Sequence, residues 1–84
     1  MAKQNNDTVV YELKEGRKVV YIGTTNDPDR REAEHLDDGK RFSHMLITTR
    51  KMTEDGAKKR ETDRLYTYRK NQGKNPKYNK DNDG

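Results

Sequence analysis

Apolar and polar positions alternate along two short stretches near the start of the chain. Across Thr8 to Leu13, Val9, Tyr11 and Leu13 fall on one face while Val10 and Glu12 fall on the other, the two-residue period of a strand. Lys18 to Ile22 reads as its antiparallel partner, and the link Lys14-Glu15-Gly16-Arg17 predicts a hairpin turn in which Gly16 takes a positive φ at no steric cost. Loop length sets the register: a two-residue loop pairs Tyr11 with Val20 and turns Tyr21 away, whereas a three-residue loop pairs Tyr11 with Tyr21. The three-residue register is expected, because two phenols that serve one site must share a face.

Gly23 to Pro28 then predicts a loop running into a helix, with Asp27 as N-cap, Pro28 at the first helical position and Asp29 in the first turn. This helix is expected to run to about residue 38, where Gly39 stops it. Its only apolar residues are Ala33 and Leu36, which predicts a narrow buried stripe and leaves the Arg31/His35 edge free of packing duty. From Ser43 to Thr49, Met45, Ile47 and Thr49 alternate with His44, Leu46 and Thr48, the pattern of a third strand. Thr53, followed by Glu54 and Asp55, caps a second helix expected over about residues 54–70, although Gly56 weakens its start. Ala57, Glu61, Leu65 and Tyr68 form its inward stripe, and a carboxylate on such a stripe is costly unless a cation or a donor meets it. Asn71 to Pro76 predicts a turn that lets Tyr78 and Asn79 fold back onto the sheet.

A chain of 84 residues has room for one core, and a single domain is expected with its body over about residues 8–79. Charged residues make up 40% and hydrophobic ones 26%, a balance near that of disordered chains, yet the apolar residues are grouped periodically and so specify a thin-cored fold. The polar ends, 1–7 and 80–84, are expected to fray. A net charge of +4 favours a polyanionic partner. With no cysteine, disulfides, thiolate metal sites and thiol nucleophiles are excluded. No apolar run has the length of a membrane span or a signal-peptide core, so the expectation is a cytoplasmic protein without a membrane partner.

The candidate chemistry is concentrated between residues 9 and 35. Val9-Val10-Tyr11 is followed ten residues after its tyrosine by Tyr21-Ile22-Gly23, and Arg31 and His35 stand eight and twelve residues beyond that glycine. Arg31 and His35 are four apart, hence on one helical face. The spacing resembles the GIY-YIG endonuclease pattern, with Val9-Val10 in place of Gly-Ile in the first triplet. Downstream, Glu61 and Asn79 resemble the family's metal-binding glutamate and late asparagine, with Asn75 as a competitor for the latter.

The resemblance implies an α+β fold, a three-stranded antiparallel sheet flanked by two or three helices. It implies a metal-dependent endonuclease that hydrolyses DNA phosphodiester bonds, nicking when it acts alone, in a setting of DNA repair or recombination. Its catalytic residues would be Tyr11, Tyr21, Arg31, His35, Glu61 and Asn79. One phenol, either Tyr11 or Tyr21, readies the water together with His35; with a free pKa near 10 it needs a cation such as Arg31 or Lys18 beside it to act as a base. Arg31 clamps the scissile phosphate, and Glu61 holds one Mg²⁺ or Mn²⁺ whose remaining ligands are waters and phosphate. Lys18, Arg30, Lys40, Arg41 and Lys58 are candidate nucleic-acid contacts, and a homodimer or a separate targeting partner is a further expectation.

Each feature also has a plainer reading. Tyrosines favour strands, Arg30-Arg31 is a solvated charge run, Glu61 pairs with Arg31 or Lys58, and His44 is peripheral. A His35/His44 zinc site falls short of a ligand set. The alternatives to an enzyme are a catalytically silent nucleic-acid-binding module of the same fold and a protein-interaction domain.

Overall fold

Two strands, β1 (Val9–Glu15) and β2 (Lys18–Thr25), form the hairpin, followed by helix α1 (Pro28–Asp37), strand β3 (His44–Ile47) and helix α2 (Glu54–Gln72). The computed structural model describes residues 6–79, so the fraying expected of the ends falls almost wholly outside the described residues. The fold is α+β: an open three-stranded antiparallel sheet in the order β2-β1-β3, with two helices.

The hairpin register differs from the expected one. Its turn holds two residues, Gly16 and Arg17, closed by the pair Glu15 and Lys18, and Gly16 has φ 64°. Carried down the ladder unbroken, that turn would set Tyr21 opposite Glu12, on the wrong face. A β-bulge intervenes. Lys14 pairs with Val19 while Leu13 pairs with Tyr21, so Val20 is the extra residue and every later position on β2 is shifted by one. Tyr11 therefore lies opposite Gly23, not Tyr21, and the two phenols share a face as diagonal neighbours. β2 also continues through Gly23, Thr24 and Thr25, which the sequence reads as loop.

Each sheet face carries its own apolar cluster. Val10, Val19 and Ile22 pack with Ala57 of α2, joined by Met52, Leu65 and Tyr68; on the other face Tyr11, Leu13 and Val20 pack with Tyr21, Phe42, Met45 and Tyr78. Tyr11, Leu13, Val20 and Ile22 are each 0% exposed. Full burial of one such side chain stabilises by roughly 1.5–3 kcal/mol, so the hairpin supplies most of the folding drive of a thin core.

The capping residues act as their chemistry dictates. The Asp27 side chain accepts from the Arg30 amide, Pro28 opens α1, Gly39 turns left-handed after it with φ 84°, and Thr53 accepts from the Gly56 amide to start α2. α2 runs to Gln72, two residues past its expected end, and stops at Gly73, with φ 80°. The stripe of α1 is another correction: Ala33 is exposed, Leu36 is 57% exposed, and the residue that α1 buries is His35. α1 docks through a polar ring because the groove it meets is lined by phenols.

Candidate active site

The bulge at Val20 and the docking of α1 have one joint consequence: three rings meet over the β1–β2 face. Tyr11 and Tyr21 have ring centroids 6.0 Å apart, Tyr21 and His35 4.7 Å, and Tyr11 and His35 5.8 Å. A hydrogen bond of 2.7 Å joins the Tyr11 hydroxyl to Nε2 of His35, while Nδ1 of that ring is buried with no partner among the described residues. Gly23 makes the approach possible, since a Cβ there would stand 2.8 Å from the Tyr11 hydroxyl and 2.8 Å from the Tyr21 ring. The glycine of Tyr21-Ile22-Gly23 is thus required by packing, quite apart from any motif.

Arg31 stands one turn before His35, as their spacing requires. Its Nη1 donates to Glu34 Oε1 at 2.8 Å with the side chain 39% exposed, and its charge also acts on both phenols. Lys40, beyond the end of α1, lies with Nζ 5.6 Å from the Tyr21 ring centre and 5.9 Å from that of Tyr78, and is largely covered. Lys40 is thus a component of the cluster, a role that its place in a Lys40-Arg41 surface pair conceals. Tyr78 folds back onto the sheet as the turn before it predicts, its hydroxyl accepting from the Arg41 amide and its own amide donating to the Val20 carbonyl.

The electrostatics run against a free phenolate. Burial, reinforced by neighbouring Tyr21, pushes the Tyr11 hydroxyl well above the usual phenol range, and the pull of Arg31 offsets only part of this. Burial, with the positive charges of Lys40 and Arg31, pushes His35 down to about 4. Near neutrality the pair is therefore a protonated phenol hydrogen-bonded to a neutral imidazole. Lys18, the other cation considered for lowering a phenol pKa, is exposed and lines a separate cleft.

The remaining candidates lie outside this cluster or at its edge. Glu61 shares a helical stripe with Ala57 and Leu65, which pack beneath Val10 and Ile22, the face opposite Tyr11. Burial raises its carboxyl pKa, and the neighbouring charge that opposes this is Lys58, not a cation of the tyrosine cluster. Asn79 closes on Ile22 with both ends of its amide, Oδ1 accepting from the amide at 2.8 Å and Nδ2 donating to the carbonyl at 3.0 Å. It thus holds the backbone between Tyr21 and Gly23 as a positioning residue. Asn75 instead accepts from Arg69 at 3.4 Å. Arg30 is exposed beside Asp27 and Glu34 at 4.0 and 3.8 Å, and Arg41, His44 and Lys58 are exposed.

Among the described residues no three histidine, aspartate or glutamate side chains converge on one point. The donor available is a lone carboxylate, Glu61. That chemistry fits a hydrated Mg²⁺ completed by waters and phosphate, and does not fit zinc. Among the described residues no helix is long and apolar enough to cross a membrane. No protein-family model, curated protein or solved structure matches this chain.

Proposed function

We propose that this chain is a GIY-YIG-type endonuclease that hydrolyses DNA phosphodiester bonds with Mg²⁺ or Mn²⁺. The observation that carries the reading is the meeting of Tyr11, Tyr21 and His35 within 6.0 Å, flanked by Arg31 and closed over a glycine where a Cβ would force one of the rings aside. Water attacks phosphorus in line and gives up a proton to the neutral His35 imidazole by way of Tyr21, a new P–O bond forms, and the bond to the 3′-oxygen breaks as that oxygen takes up a proton. Tyr21 is half-buried and can touch that water, whereas Tyr11 is 0% exposed and acts through His35. Arg31, partly exposed at the rim, holds the phosphate and meets the charge that grows on its oxygens. Glu61 would hold the cation, which when bound would polarise the phosphoryl oxygen; because its stripe packs on the sheet face opposite Tyr11, the substrate would have to reach round the sheet from Arg31 to meet it. The cytoplasm is the compartment proposed, and a homodimer or a targeting partner would be needed to cut both strands.

One observation favours a second reading, a catalytically silent nucleic-acid-binding module. Glu61 answers electrostatically to Lys58 and not to the rings or Arg31. Incubation of supercoiled plasmid with and without Mg²⁺ separates the two. The nuclease reading expects Mg²⁺-dependent nicks that Arg31→Ala and Glu61→Gln reduce at least about 100-fold. DNA retention without nicks, in the unaltered protein and in Glu61→Gln alike, would leave the silent module standing.

A further inference from the structure

A cleft of about 560 Å³ opens beside the edge strand β2, away from the three rings. It is lined by Lys18, Lys74 and Lys77 with Tyr68, Asn75 and Asn79, and among the described residues no acidic side chain contributes to the wall. We propose that this cleft binds the sugar–phosphate backbone of single-stranded nucleic acid. The proposal deepens the nuclease reading by naming an unpaired segment as the part of the substrate held beside the cleaved bond; it rests on that reading for cleavage and not for binding.

Its walls are fixed by contacts to β2. Gly73 ends α2 in the left-handed region and reverses the chain, Pro76 is buried, the Tyr78 amide donates to Val20, and Asn79 grips Ile22. Tyr68 is half-buried, with its hydroxyl donating to the Val19 carbonyl at 3.4 Å, so a ring is held in the wall. All three lysines are exposed and free of ion pairs among the described residues. The C-terminus of α2 brings about half a negative charge to this end, which three ammonium groups outweigh. A basic groove with a fixed aromatic ring is the general means of holding single strands, the lysines taking phosphates and the ring a base. The volume suits about one or two nucleotides.

The cleft also connects with the ring cluster. Asn79 lines it and holds Ile22, between Tyr21 and Gly23, while Lys77 lies 5.2 Å from the Tyr78 ring that Lys40 also covers. Positive charge thus continues along β2 from Lys18 and Lys74 through Lys77 to Lys40. A strand that leaves the cleft past Asn79 would pass the Tyr21–Gly23 backbone that Asn79 holds.

The test uses the full chain, isotopically labelled, titrated with a thymidine hexanucleotide. Amides of Lys18, Lys74, Asn75, Lys77 and Asn79 shift together if the cleft is the site; shifts confined to other residues overturn it. Thymidine monophosphate or pyrophosphate that moves these amides as strongly, at equal phosphate concentration, also overturns it, because the site is then one for a small anion. By fluorescence anisotropy across a salt series, K18Q/K74Q/K77Q should bind a labelled oligothymidine with a log–log slope shallower by about 2, from roughly 0.7 per phosphate released. The control R50Q/K51Q/K59Q, at three exposed basic residues outside the cleft lining, should keep the slope; equal losses in the two variants mean diffuse attraction and sink the proposal. Slope loss without any nicking by the unaltered protein upholds the cleft and removes the nuclease reading, whereas nicking with an unchanged slope does the reverse.

Discussion

The Tyr11 hydroxyl, 2.7 Å from Nε2 of His35, ties the central strand to α1 through two groups that are both buried and both uncharged near neutrality. Because the imidazole ionises at about 4 in the fold but near 6.5 when exposed, the unfolded chain binds more protons between those values. Stability should therefore be complete above pH 6.5 and fall by about 3 kcal/mol as the pH drops to about 4. Urea denaturation across that range checks it. His35→Gln should be less stable at pH 7 and lose this part of the pH dependence; an unchanged slope would mean that His35 is not the group responsible.

Gly23 and Gly16 should respond differently to alanine. At Gly23 a Cβ meets two rings at 2.8 Å, so Gly23→Ala must push Tyr11 or Tyr21 aside, at about 1–3 kcal/mol, the usual cost of overpacking. At Gly16 nothing lies within 4 Å, and Gly16→Ala costs about 1 kcal/mol through its positive φ alone. Near-ultraviolet circular dichroism should change for the first variant and not for the second.

Under α2, Arg64 Nε donates to Glu12 Oε2 at 2.7 Å, and the Glu12 side chain is 6% exposed. Arg64→Met strands that carboxylate, with an expected loss of about 2 kcal/mol, less than for a fully buried pair because the Arg64 side chain is 37% exposed. Adding Glu12→Leu should recover most of the loss. A double variant no more stable than Arg64→Met would show that the pair is not what is being measured.

Asn79 replaces a missing neighbour strand at the β2 edge. Asn79→Ala removes both of its bonds to Ile22, so the Ile22 amide should exchange with solvent faster and the fold should weaken by about 1–2 kcal/mol. Asn79→Asp keeps the acceptor but not the donor, and is expected to fall between the two. Exchange at Ile22 unaffected by either change would deny Asn79 its positioning role.

Of the two phenols, Tyr21 is the half-buried one, and on the nuclease reading Tyr21→Phe should lower the nicking rate more than Tyr11→Phe. Tyr11→Phe should instead lower stability by about 1 kcal/mol through its lost hydrogen bond. Nicking rates and melting temperatures measured on the same two variants distinguish the roles.

Much that depends on neighbours along the chain was legible in the residues: alternation in both hairpin strands, caps at Asp27 and Thr53, the stop at Gly39, and Arg31 sharing a helical face with His35; the length of the hairpin turn and the run of β2 through Thr25 were not. Capping and pitch are settled by hydrogen bonds spanning three or four residues, so the local types suffice. The bulge at Val20, the burial of His35 in preference to Ala33 and Leu36, the separation of Glu61 from the rings and the lysine cleft beside β2 were decided by the tertiary fold. Each depends on which faces of distant segments meet, a choice made by the whole core at once. Counting a turn locates a side chain on its own helix, but only the packing of that helix on the sheet says what it touches.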